Sequence, residues 1–186
     1  MPDPYPLLTD PILLEKVWGG GRLAQFGKAM PGAASVGESW EIADLAETAA
    51  SGAGGGAKRS VIRNGALAGQ TLADVRAAWG AALVGTGSAG EGFPLLVKLL
   101  DAKENLSVQV HPSPAYAAGH PEAHLKTECW YVLDAAEGSV IYKGVKPGVT
   151  ASDFRFAIEA GTVPELLESV PAGVGEMHEL PSGTVH

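Results

Sequence analysis

Two spacings of apolar residues alternate along this chain, and the switches between them divide it into short elements. PILLEKVWGG (11–20) is a short apolar strand ending at a glycine turn. SVGESWEIADL (35–45) alternates, with Glu38, Trp40 and Ile42 on one face and Ser39 and Glu41 on the other. TLADVRAAWGAALVG (71–85) changes to helical spacing, with Leu72, Val75, Trp79 and Leu83 along one stripe, Thr71 as cap and Asp74 in the first turn. EGFPLLVKLLDA then predicts a buried strand, and LSVQVH a second one after a turn. Ser113 and Pro114 open a short helix in SPAYAAGH. TECWYVLDA (127–135) and GSVIYKG (138–144) are further strands.

Two short helices follow by their caps. TASDFRFAIEAG carries Thr150 and Asp153 at capping spacing and Gly161 at its end, and TVPELLESV has Thr162 with Glu165 three residues on. VGEMHELPSGTVH closes as strand, tight turn and strand start. SGAGGGAKRS (51–60) is a loop by composition, and its glycines lack the spacing that cradles phosphates. Many short strands, a few helices, no repeat and no linker predict a β-barrel or sandwich with helical decoration in one domain spanning 1–186.

Composition narrows the partners. Hydrophobic residues make up 46% and charged residues 18%, as in a globular chain, and the net charge of −8 argues against a nucleic-acid backbone as ligand. The longest apolar run, FPLLVKLL, is too short to span a membrane and is interrupted by Lys98. Cys129 is the single cysteine, and the start MPDPYPLLTDP lacks a basic-then-apolar leader pattern; both lead to the expectation of a cytoplasmic protein.

The polar residues inside apolar strands carry the candidate chemistry. In SVQVHPSP, alternation points Ser107, Gln109 and His111 to one side, and burying them without partners would cost free energy. KTE puts Lys126 and Glu128 on one strand face, and GTVH puts His186 just after a turn. Two imidazoles, a carboxylate and an amide oxygen form a credible ligand set for a divalent ion, with zinc the default. The residues alone also allow the plain alternative of satisfied polar side chains on a solvated face. An ammonium in the apolar strand at Lys98 asks for an anion, unless its stem simply carries it to the surface.

The stretches VWGGGRL, GESWEIAD, NGALAGQTL, FPLLVKLLDAKENLSVQVHPSPAYA, KTECWYVLDA and LPSGTVH together resemble the type I mannose-6-phosphate isomerases, in that family's order and over nearly the whole chain. The resemblance implies a mainly β, cupin-type jelly-roll barrel with a few short decorating helices. It implies one Zn2+ held by Gln109, His111, Glu128 and His186, with Lys126 and Glu38 as catalytic residues. Ser107 and Lys98 match positions near the substrate phosphate, and Trp18 matches an active-site wall. The implied reaction interconverts mannose 6-phosphate and fructose 6-phosphate by moving a proton between C1 and C2 through a cis-enediol.

One departure qualifies that expectation. Family members continue beyond the histidine of GTVH with further strands and an arginine implicated in catalysis. Every arginine here (Arg22, Arg59, Arg63, Arg76, Arg155) lies upstream of it. The chain is therefore expected to be an incomplete form of the domain, its C-terminal strands missing. The alternative function is a truncated module that binds metal or sugar phosphate without isomerising it. A cupin oxygenase using Fe(II) is disfavoured by the KTECWY match.

Overall fold

The computed structural model describes residues 2–32, 35–49, 53–86 and 92–186. They form two compact units, Met1–Leu106 and Ser107–His186. Both are built mainly from β-strands with a few short helices.

In the first unit, β1 (Ile12–Gly20), β2 (Val36–Ile42) and β5 (Val97–Leu100) make an antiparallel sheet in the order β1-β2-β5. β3 (Asp44–Leu45) and β4 (Lys58–Arg59) form a separate short pair. The β1–β2 ladder contains a large bulge, because Glu15 and Gly20 both lie opposite Val36. Lys16 to Gly19 loop out there, so Val17 is exposed while Lys16 and Trp18 lie across Gly37. A Cβ on Gly37 would stand 2.6 Å from Lys16 Cβ and 2.7 Å from Trp18 Cζ3, so only glycine fits.

Trp40, Ala43 and Ala53 form one apolar cluster of this unit; Ile62, Leu67 and Val75 form another, flanked by Trp79 and Leu83. The expected helix 71–85 is present but broken at Gly80 into α1 (Leu72–Trp79) and α2 (Ala81–Val84). Thr71 and Asp74 build a reciprocal capping box on α1. Hydrogen bonds from the Thr71 hydroxyl and amide hold the Asp74 carboxyl below its ordinary value. Two expectations need adjusting. In the loop expected at 51–60, Lys58 and Arg59 instead pair with β3, while residues 51 and 52 lie outside the described residues. The strand expected from Glu91 to Ala102 is confined to β5; Pro94, which offers no N–H, precedes it, and Glu91 lies outside the described residues.

In the second unit, β6 (Glu128–Tyr131) pairs with β9 (Met177–Leu180), and β7 (Val140–Val145) with β8 (Leu167–Pro171), both antiparallel. α3 (Pro114–Ala117) is capped by Ser113 and α4 (Ala151–Ala160) by the Thr150/Asp153 box, with Gly161 left-handed at its end. The helix expected in TVPELLESV is a 3-10 turn, Val163–Leu166, that passes into strand β8; Thr162 makes no side-chain cap bond, and Leu167 buries itself across from Val145. The LSVQVH segment is not a ladder strand. It joins the Gly183–His186 segment through the single bridge Val110–Val185.

Candidate metal centre

All the residues of the candidate centre belong to the second unit. Gln109 and His186 exchange both backbone hydrogen bonds, Gln109 N to His186 O at 2.6 Å and His186 N to Gln109 O at 2.8 Å. Directly opposed residues of an antiparallel pair project to the same side, and so do residues two apart. Gln109, His111 and His186 therefore share one face. The turn that leads to His186 is fixed in two ways: Gly183 N donates to His111 O at 2.9 Å, and Ser182 Oγ accepts from Lys126 N at 2.7 Å. Gly183 has φ +96°, and a Cβ there would meet Ser113 Cβ at 2.9 Å. The short LPSGT segment thus ties together the segments that carry His111, Lys126 and His186.

The side chains converge on the Glu128 carboxylate. His111 Nε2 lies 3.7 Å from Oε1 and His186 Nε2 lies 3.4 Å from Oε2. Lys126 Nζ is ion-paired with Oε1 and stands 3.3 Å from His111 Nε2. One ligand atom from each of His111, Glu128 and His186 falls within 4.8 Å of the others. His186 is buried, the other two half-buried.

The donor chemistry fits a cation. His186 Nδ1 lies 2.9 Å from the Thr184 carbonyl, an acceptor, so Nδ1 carries a proton, which leaves Nε2 as the ring's ligand atom. That Nε2 is buried and makes no hydrogen bond. An imidazole Nε2 facing a carboxylate oxygen at 3.4 Å calls for positive charge between them, either a proton on Nε2 or a cation. A divalent ion would supply it, with the Thr184 carbonyl as the outer partner that orients the imidazole.

The remaining candidates are distributed as follows. Ser107 and Gln109 are exposed, and Gln109 is paired through its backbone with His186. Glu38, Lys98 and Trp18 belong to the first unit. There Glu38 is buried, accepts from Trp40 Nε1 at 2.6 Å, and lies 3.7 Å from Lys98 Nζ and 3.8 Å from Lys16 Nζ. Lys16 was not expected; its approach depends on the β1 bulge, which alternation does not foretell. Trp130 was also missed. Its ring lies against that of His186, centroids 5.7 Å apart at 84°. Two residues beyond Glu128 on the same strand face, it could have been found by spacing alone.

Comparisons with known proteins identify the family. The model of phosphomannose isomerase type I, catalytic domain, matches residues 8–144. The chain belongs to this family. Mannose-6-phosphate isomerase ManA of Bacillus subtilis is 38% identical over 186 residues, covering 97% of the chain and 53% of the relative. The mannose-6-phosphate isomerase of Streptococcus mutans is 39% identical over 182 residues, with 97% and 53% covered. The crystal structure of the Bacillus subtilis mannose 6-phosphate isomerase superposes with a TM-score of 0.78 at 34% identity, covering 97% of the chain and 54% of that structure. The mainly β, cupin-type fold expected from the resemblance is therefore the fold of this phosphomannose isomerase family member. The chain spans about half the length of the relatives it matches. Among the described residues, no helix is long and apolar enough to cross a membrane.

Proposed function

We propose that the chain is the metal-binding part of a cytoplasmic, zinc-dependent aldose–ketose isomerase acting on mannose 6-phosphate and fructose 6-phosphate. The observation that carries this reading is the convergence of His111, Glu128 and His186 beside Lys126 in a member of the type I family. The family match runs from residue 8 to residue 144, across the boundary between the compact units, which supports reading 1–186 as one domain.

His111, Glu128 and His186 would hold the ion, with Gln109 completing the set from the segment paired with His186. A divalent ion bound there supplies Lewis-acid polarisation of the sugar oxygens at C1 and C2. The chain's own residues do the rest. Isomerisation requires removing a proton from one carbon and returning one to its neighbour, so a single group that takes and gives back a proton serves both steps. Lys126 is the candidate, because its Nζ stands beside the Glu128 carboxylate and 3.3 Å from His111 Nε2. Glu38 is the alternative base. Lys98 and Ser107 are assigned to the phosphate, a handle remote from the reacting carbons that orients the open-chain sugar. Trp18 forms a wall.

A second reading, a module that binds metal and sugar phosphate without isomerising it, is favoured by the chain's spanning about half its relatives' length. Coupled isomerase turnover of the purified chain separates the two. Lys126→Met is expected to lower kcat by roughly 100- to 10,000-fold while Zn2+ uptake persists. Unchanged turnover in that variant refutes the role given to Lys126.

A further inference from the structure

The reading of His111, Glu128 and His186 as a cation site, on which this inference rests, demands that the His186 ring stay still. A usable lone pair must point at the ion within a few tenths of an ångström. The His186 backbone is held by its two hydrogen bonds to Gln109 and by Gly144 N to Val185 O, but these fix the main chain and not the ring. The hydrogen bond from Nδ1 to Thr184 O fixes the tautomer and tethers one edge of the ring, but one tether leaves the ring free to tilt about it.

Two rings flank that of His186: that of His111, itself a candidate ligand, with centroids 5.4 Å apart at 49°, and that of Trp130. Trp130 meets His186 at 84° with ring centroids 5.7 Å apart, a T-shaped contact. In the β6–β9 ladder, Glu128 lies opposite Leu180 and Trp130 opposite His178, so the ligand carboxylate and the indole rise from one strand on one face. Leu180 is fully buried, which anchors that end of the ladder. The strand that presents the carboxylate thus also braces the imidazole. The indole has no lone pair to offer an ion, so any effect on binding passes through His186.

We propose that Trp130 is a positioning residue for His186, holding Nε2 toward Glu128 for a divalent cation, and that its indole reports whether the site is filled. Ring-on-ring packing needs an aromatic ring and not the indole N–H. Phenylalanine therefore preserves the brace, whereas leucine keeps apolar bulk and loses it.

The test uses the full chain, stripped with a chelator and titrated with Zn2+ against a chromophoric competitor. Trp130→Phe is expected to bind within about threefold of wild type, and Trp130→Leu roughly tenfold or more weakly. Tryptophan emission is expected to change on Zn2+ binding in wild type and not in Trp130→Phe. Equal affinity in Trp130→Leu and wild type overturns the positioning role, and an emission change that survives in Trp130→Phe overturns the reporter. Should the leucine variant fail to fold, the phenylalanine variant still decides: affinity lost despite a retained ring overturns the brace. A wild-type chain that takes up no Zn2+ overturns the metal reading itself, which no comparison among the variants would do.

Discussion

Two carboxylates, one in each compact unit, stand inside the fold under opposite conditions. Glu38 is surrounded by donors: the indole N–H of Trp40 at 2.6 Å, and the ammonium groups of Lys98 and Lys16 at 3.7 and 3.8 Å. Its charge is compensated by its own unit. Glu128 has the ammonium of Lys126 on one side, but its other oxygen faces the buried Nε2 of His186, which makes no hydrogen bond. A carboxylate ringed by donors has its charge met where it stands. One that shares a cluster with two imidazoles offers a ligand set for a cation.

That difference can be broken from either side. The largest expected effect comes from His186→Ala, which removes a ligand: affinity for Zn2+ should fall by roughly 100-fold or more, read by chelator competition. If binding is unchanged, the centre lies elsewhere. Glu38→Ala should do the reverse. It takes the acceptor from the buried Trp40 Nε1–H and should cost about 1–3 kcal/mol in urea unfolding, with zinc uptake by the second unit unchanged. A variant as stable as wild type would mean that these contacts of Glu38 contribute nothing to the fold.

The smallest effect sharpens the contrast with an ordinary surface carboxylate. Asp153 caps α4 in full solvent, and the Thr150 hydroxyl and amide hold its carboxyl below the ordinary value of 3.8. A carboxyl lowered in the folded state adds stability that is complete above 3.8 and is lost as pH falls through the folded value. Thr150→Ala should lower Tm by about 2–4 °C near neutrality. The gap to wild type should narrow in melts below pH 3.8. A gap that is constant down to strong acid would contradict the capping box.

The same contrast separates what was legible in the sequence from what was not. Local signals read true: Thr150, Asp153 and Gly161 bound α4, and Thr71 with Asp74 starts α1, because caps are written within four residues. Alternation in GESWEI gave β2 and the β-formers of ECWY gave β6, and the family resemblance led to His111, Glu128 and His186, which the fold brings together. Readings failed where distant partners decide. Thr162 and Glu165 have capping spacing, yet the residues after them pair with β7, because burying Leu167 in a strand outweighs a short helix. Lys16 reaches Glu38 only because a bulge removes four residues from the β1 ladder, an irregularity with no periodic signature. Trp130 was within reach of the alternation rule, but a tryptophan in a strand reads first as core.

The central claim is that two imidazoles and a carboxylate of residues 107–186 hold one divalent ion. X-ray absorption of the Zn2+-loaded chain tests it most directly. The account predicts about one ion per chain with nitrogen and oxygen donors at roughly 2.0–2.2 Å, two of them imidazoles. A sulfur donor near 2.3 Å, which could come only from Cys129 or a methionine, or a shell of oxygens without imidazole, would contradict it.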